Sequence, residues 1–146
     1  MPSAVRLALV ASALISCSGA FASLGGDTAS VQTDQGALRG SIQSNMFPDY
    51  VQYEIQLESG TKVREYVTAA GQVFAVVWDG PWMPDLKQLL GGYFAQYAEG
   101  GQGGTGPRVI DQPGLVLNST GHMRAFHGRA YVPALVPKNL NLEQIR

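Results

Sequence analysis

Residues 51–58, VQYEIQLE, alternate Val51, Tyr53, Ile55 and Leu57 with Gln52, Glu54, Gln56 and Glu58. Successive side chains of a strand point to opposite faces, so this period of two predicts a strand with one face buried. Glu58-Ser59-Gly60-Thr61 reads as a turn, and Lys62 to Thr68 continues the β-type composition through Val63, Tyr66 and Val67. Ala69-Ala70-Gly71 supplies the next turn. Val73 to Trp78 is then an unbroken apolar run, suited to a central strand covered on both faces. Connections this short exclude parallel neighbours, which need a crossover of about a dozen residues. The middle of the chain is therefore predicted to be an antiparallel meander.

Working outward, Asp85 can cap a helix whose apolar positions are Leu86, Leu89, Leu90, Tyr93, Phe94 and Tyr97. At about 100° per residue these fall in one arc of roughly 140°, a stripe built for burial against the sheet. Gly91 and Gly92 interrupt it, each at a cost of about 1 kcal/mol relative to alanine, which points to a bend or a close backbone approach. Gly100 to Pro107 reads as a loop. A C-terminal hairpin is expected from Leu115–Asn118, a Ser119-Thr120-Gly121 turn, and His122–Val132. The predicted fold class is α+β: an antiparallel β-meander packed against one main amphipathic helix, with a C-terminal β-hairpin. Polar, glycine-dotted residues 23–48 are expected to form a poorly ordered arm, or short strands near Thr28–Thr33 and Ala37–Ser41. Pro133 and Pro137 close regular structure, and residues 138–146 are expected to be a tail or one short helical turn.

The N-terminus has the outline of a signal peptide, with Arg6 ahead of an apolar run from Leu7 to Ile15. That run is about half the roughly 20 residues a spanning helix needs, so it would target the chain without anchoring it. Ala20-Phe21-Ala22 has the small-x-small form of a peptidase site, which predicts cleavage after Ala22 and a division into a 1–22 leader and a 23–146 single domain. The alternative is Leu14-Ile15-Ser16-Cys17, which has the form of a lipoprotein box and would lipidate Cys17. Cys17 is the only cysteine, so the mature chain would hold no internal disulfide and must rely on packing.

The whole chain carries a formal net charge of −1, and loss of Arg6 with the leader leaves nine Lys and Arg against eleven Asp and Glu. That balance offers no basic field for nucleic acid. Gly101 to Gly106 matches G-x-G-x-x-G, but it follows a predicted helix and leads into Pro107, the wrong context for a dinucleotide loop. No cofactor is expected. No serine sits in G-x-S-x-G, and no catalytic residue is assigned. His122 and His127, if on one regular strand, would face opposite ways and could not share a metal, so no metal site is expected. Asp79 and Asp85 flank the Trp82 loop and could form an acid/base pair with a histidine, although a turn role for Asp79 and a cap role for Asp85 explain them equally. Between Pro81 and Pro84, Trp82 and Met83 form a stiff apolar loop beside the helix start, so Trp82, Met83, Tyr93 and Tyr97 are the candidate binding residues.

The block Arg64-Glu65-Tyr66-Val67, Gly71, Val73 to Pro81, Pro84-Asp85-Leu86, Leu89-Leu90-Gly91 and Tyr93-Phe94, with Leu24-Gly25-Gly26 near the mature start, resembles the domain of unknown function 2844 family. The resemblance implies a small exported proteobacterial protein and no activity. The expected function is a non-catalytic envelope or secreted binding protein, periplasmic or released, whose partner is an envelope protein or a small apolar ligand. The alternatives are a small acid/base hydrolase and a lipid-anchored structural module.

Overall fold

The computed structural model describes residues 24–100 and 106–146. Its centre is a seven-stranded sheet in the order β1-β2-β3-β4-β7-β6-β5, with every named pairing antiparallel. The strands are β1 (Gly40–Met46), β2 (Tyr50–Leu57), β3 (Lys62–Thr68), β4 (Val73–Gly80), β5 (Arg108–Gln112), β6 (Leu115–His122) and β7 (Ala125–Tyr131). The meander predicted for 51–78 is β2-β3-β4, with its turns at Gly60 and Gly71. Both glycines have φ near +85°, at +89° and +82°, a conformation that costs glycine nothing.

One face of the sheet is covered by helices. Leu86, Leu89 and Leu90 join Val63, Val73, Val76 and Trp78 in one buried cluster, so the predicted stripe does lie against the central strands. The helix is broken as its two glycines imply: α2 (Leu86–Leu90), a 3-10 turn at Gly91–Tyr93, then α3 (Phe94–Glu99), with Gly91 at φ +49°. Asp85 caps α2 by accepting from Gln88 N–H at 3.1 Å. Leu24–Gly26 is sewn between helix and sheet: Leu24 N–H donates to Leu89 O at 2.9 Å and Gly25 N–H to Val73 O at 2.8 Å, while Leu24 is buried.

The arm expected over 23–48 is instead α1 (Thr28–Leu38) followed by β1. Asp27 caps α1 by accepting from Ser30 N–H, and Arg39 ends it in the left-handed conformation. Short strands near Thr28–Thr33 do not form. α1 buries only Ser30, Val31 and Asp34, with Leu38 partly buried against the same cluster, so its apolar signal is slight and tertiary docking decides the segment.

The opposite face of the sheet is closed by the C-terminal segment. Ile145 is buried with Tyr50, Tyr66, Phe74 and Val77, and Leu140 and Leu142 pack against them. A register shift between Tyr66 and Val67 leaves Phe74 between Val73, paired to Val67, and Ala75, paired to Tyr66. Its ring meets those of Tyr50 and Tyr66 at 6.2 Å. Residues 138–146 thus carry a short turn, Leu142–Gln144, held by Arg129 to Leu142 O at 3.0 Å and by the Tyr66 hydroxyl to Arg146 O at 2.8 Å.

The C-terminal hairpin forms, but its turn lies at Met123-Arg124 rather than at Ser119-Thr120-Gly121. Both turn residues have positive φ, 42° and 68°, the pairing of a two-residue hairpin loop that matches strand twist. Ser119 is buried in β6, and Gly121 lies where a Cβ would meet the Phe126 ring, so the polar Ser-Thr-Gly run is strand because its backbone sits under an aromatic neighbour. Gly128 plays the same part under Trp78: a Cβ there would lie 2.0 Å from the indole.

Candidate functional site

β4 delivers the chain to one end of the sheet at Gly80, and the next residues fold onto the β2–β3 turn. Thr61, fully buried just ahead of β3, holds both polar backbone atoms of Trp82: its Oγ1 accepts from Trp82 N–H at 3.2 Å and donates to Trp82 O at 2.7 Å. Gly80 permits this approach, since a Cβ there would lie 2.4 Å from Thr61 Cα. The backbone of Trp82 is thereby fixed while its side chain stays 52% exposed. The Arg124 guanidinium, on the β6–β7 turn, stands 5.3 Å from the indole ring. Met123, in the same turn, is 84% exposed. A large ring on a clamped backbone loses little conformational freedom on binding, the property of an interface anchor.

The other candidate binding residues occupy different environments. Met83, Tyr93 and Tyr97 are half-buried and pack against the helix-side cluster. Tyr93 lies over Gly25, and Tyr97 carries the Arg108 guanidinium 4.2 Å above its ring and packs on Phe94. Cys17, Ala20 and Ala22 lie outside the described residues, as does most of Gly101–Gly106.

On the sheet face away from the helices, Asp79 contacts His127 at 2.5 Å, both side chains being about half exposed. Register sets Thr120 opposite His127. These three line a cavity of about 400 Å³ with Arg64, Asn118 and Arg129. Asp85 is not part of it: it caps α2 on the opposite side of the sheet. Because the hairpin turns at 123–124, His122 and His127 stand on adjacent strands, and His122, two residues from Thr120, shares the His127 face. The expectation that they face apart therefore fails, for it assumed that both lie on one strand. Among the described residues no group of three or more His, Cys, Asp or Glu side chains gathers to hold a metal ion.

Two acids that the sequence reading passed over form a node under α1. Asp34 of α1 and Glu65 of β3 are both fully buried. Gln88 of α2 donates to Asp34 Oδ1 at 2.7 Å. Apart from their mutual contact, Asp34 Oδ2 and both Glu65 oxygens have no partner among the described residues. Burial pushes the Glu65 carboxyl well above its ordinary range, and the neighbouring Asp34 carboxyl raises it further; burial also raises Asp34, against the opposing effect of Glu65 and the hydrogen bond from Gln88. Neighbouring buried carboxyls reconcile their charge by sharing a proton. The signal was present in the strand period: Glu65 lies two residues from both Val63 and Val67 and so faces the core with them.

Fold and surface define an α+β protein with an antiparallel sheet, covered by helices on one face and by its C-terminal segment on the other, that displays a clamped tryptophan at one end. The family model described as protein of unknown function (DUF2844) matches residues 20–145, and the chain belongs to that family. No curated protein and no solved structure matches the chain. No helix among the described residues is long and apolar enough to cross a membrane.

Proposed function

We propose that the protein is an exported, non-catalytic binding module that engages an envelope protein through Trp82, with Arg124 and Met123 beside it. The observation that carries this reading is the double hydrogen bond from buried Thr61 to the Trp82 backbone beneath a half-exposed ring. A ring on a turn offers contact area to a protein rather than enclosing a small molecule, which favours the protein partner over the small apolar ligand. Export is supported by the leader pattern around Arg6 and Ala22, and cleavage there leaves buried Leu24 as the second mature residue. An intact mass starting at Ser23 tests that cut; a mass including a lipidated Cys17 would establish the lipoprotein alternative instead.

The binding test is co-purification of the exported protein from its own cells. Trp82→Ala is expected to abolish recovery of the partner with thermal unfolding shifted by only a few degrees, and unchanged recovery would reject this surface. The hydrolase alternative rests on the Asp79–His127 contact beside the groove. It requires ester or amide hydrolysis that disappears in His127→Ala, and hydrolysis insensitive to that substitution would remove it.

A further inference from the structure

The two outer strands of the sheet are built differently. β5 has five residues, carries Arg108 and Asp111, and is bracketed by Pro107 and Pro113. Charge, proline and short length are the devices that keep an edge from pairing with another chain. β1 has seven residues, Gly40-Ser41-Ile42-Gln43-Ser44-Asn45-Met46, and although Arg39 precedes it and Pro48 follows Phe47, the strand itself has no charge and no proline, where β5 carries two charges within five residues. Among the described residues it pairs with β2 on one side only, so alternate residues turn backbone N–H and C=O groups to the open edge. Met46 at its end is 86% exposed. Beside the strand, α1 leaves a groove of about 240 Å³ in which Val31, Gln32 and Gln35 face Ile42, Ser44 and Tyr53. Among the described residues, neither groove nor strand carries a charged side chain.

We propose that β1 is a self-association edge, on which a second copy of this chain pairs its own β1 antiparallel about a two-fold axis, joining the two sheets into one. A symmetric antiparallel pair sets its central residue against itself and brings each end beside the other, so charge on the strand would repel unless patterned to complement. β1 meets that condition by having none, and the uncharged groove beside it matches an uncharged incoming strand. Full pairing of Gly40–Met46 places the axis at Gln43, with Ile42 opposite Ser44 and Gly40 opposite Met46 of the second copy. Strand alternation turns Gly40, Ile42, Ser44 and Met46 to the helix side, where Ile42 packs against the core of its own copy and exposed Met46 stands opposite Gly40 of the second copy. On the far face the two Gln43 amides meet and can exchange hydrogen bonds. β1 lies three strands from β4, whose end carries Trp82, so the pairing is independent of the binding surface proposed above.

The test is the mass of the exported protein by sedimentation velocity over a concentration series. The wild type is expected to sediment as a dimer that dissociates on dilution. Gln43→Lys, which sets two ammonium groups across the axis, is expected to be monomeric at the same concentration with unchanged circular dichroism. Val109→Lys on β5 is expected to remain dimeric. If Gln43→Lys does not fold, Ser41→Lys combined with Asn45→Lys, two positions of the same face that this register sets opposite each other, replaces it with the same expectation. Amide hydrogen exchange in β1 is expected to slow as concentration rises. A wild type that is monomeric throughout, including one that pairs β1 with a foreign peptide instead, overturns the proposal; so does a dimer that survives the lysine substitution or exchange in β1 that ignores concentration.

Discussion

Replacing Thr61 by valine keeps the shape of a fully buried side chain and removes the hydroxyl that holds Trp82. Two hydrogen bonds are lost, each with a net contribution of about 0.5–1.5 kcal/mol, so the expected destabilisation is roughly 2 kcal/mol. For a domain of this size each kcal/mol lowers the melting temperature by about 3–5 °C, which places the Thr61→Val midpoint roughly 6–10 °C below wild type. Circular dichroism on heating measures the shift. Acrylamide quenching measures the local effect, because Trp78 is fully buried and the accessible tryptophan signal comes from Trp82. Quenching is expected to rise in Thr61→Val and to return to the wild-type value in Thr61→Ser, which retains the hydroxyl. A Thr61→Val protein within about 0.5 kcal/mol of wild type, or quenching identical in all three proteins, would refute the clamp.

Three further outcomes follow from the packing and the charges. Glu65 and Asp34 both have folded-state pKa values raised above their ordinary 4.5 and 3.8, so their contribution to stability is complete at acid pH and is lost as pH rises through the folded values. Urea unfolding of wild type is therefore expected to weaken from acid toward alkaline pH more than that of Glu65→Gln, which cannot ionise; parallel pH profiles would contradict the shared proton. Gly128→Ala drives a Cβ to 2.0 Å from the buried Trp78 ring, and overpacking of this kind is expected to cost about 1–3 kcal/mol by urea titration, with a neutral result refuting the cross-strand packing. Asp79→Asn is expected to change stability by less than about 1 kcal/mol because the His127 contact is half exposed; a larger loss in the same titration would show that the pair is structural.

The meander and the helix that covers it were legible because their signals are local. Val51 to Leu57 alternates cleanly, Gly60 and Gly71 stand where positive φ is needed, and the leucines from 86 to 90 share one side. α1 was not legible: Val31 is its one buried large apolar residue, and its docking depends on a buried acid whose partners, Glu65 and Gln88, come from β3 and α2. The hairpin turn was misplaced because Ser119, Thr120 and Gly121 have turn chemistry, while Met123 and Arg124, which take the positive φ values, do not. That shift decided the histidine faces. Trp82 stands out in the sequence because prolines bracket it, but the clamp beneath it joins residues 21 apart in sequence and no local pattern encodes it.

Binding through the displayed tryptophan is tested most directly by a photo-crosslinking amino acid at position 123, beside Arg124, in cells that produce the protein with its proposed leader. The expected result is one discrete adduct with an envelope protein, which disappears when Trp82→Ala is added while the amount of folded protein is unchanged. No adduct, or an adduct indifferent to Trp82, would contradict the assignment of this surface as the binding site.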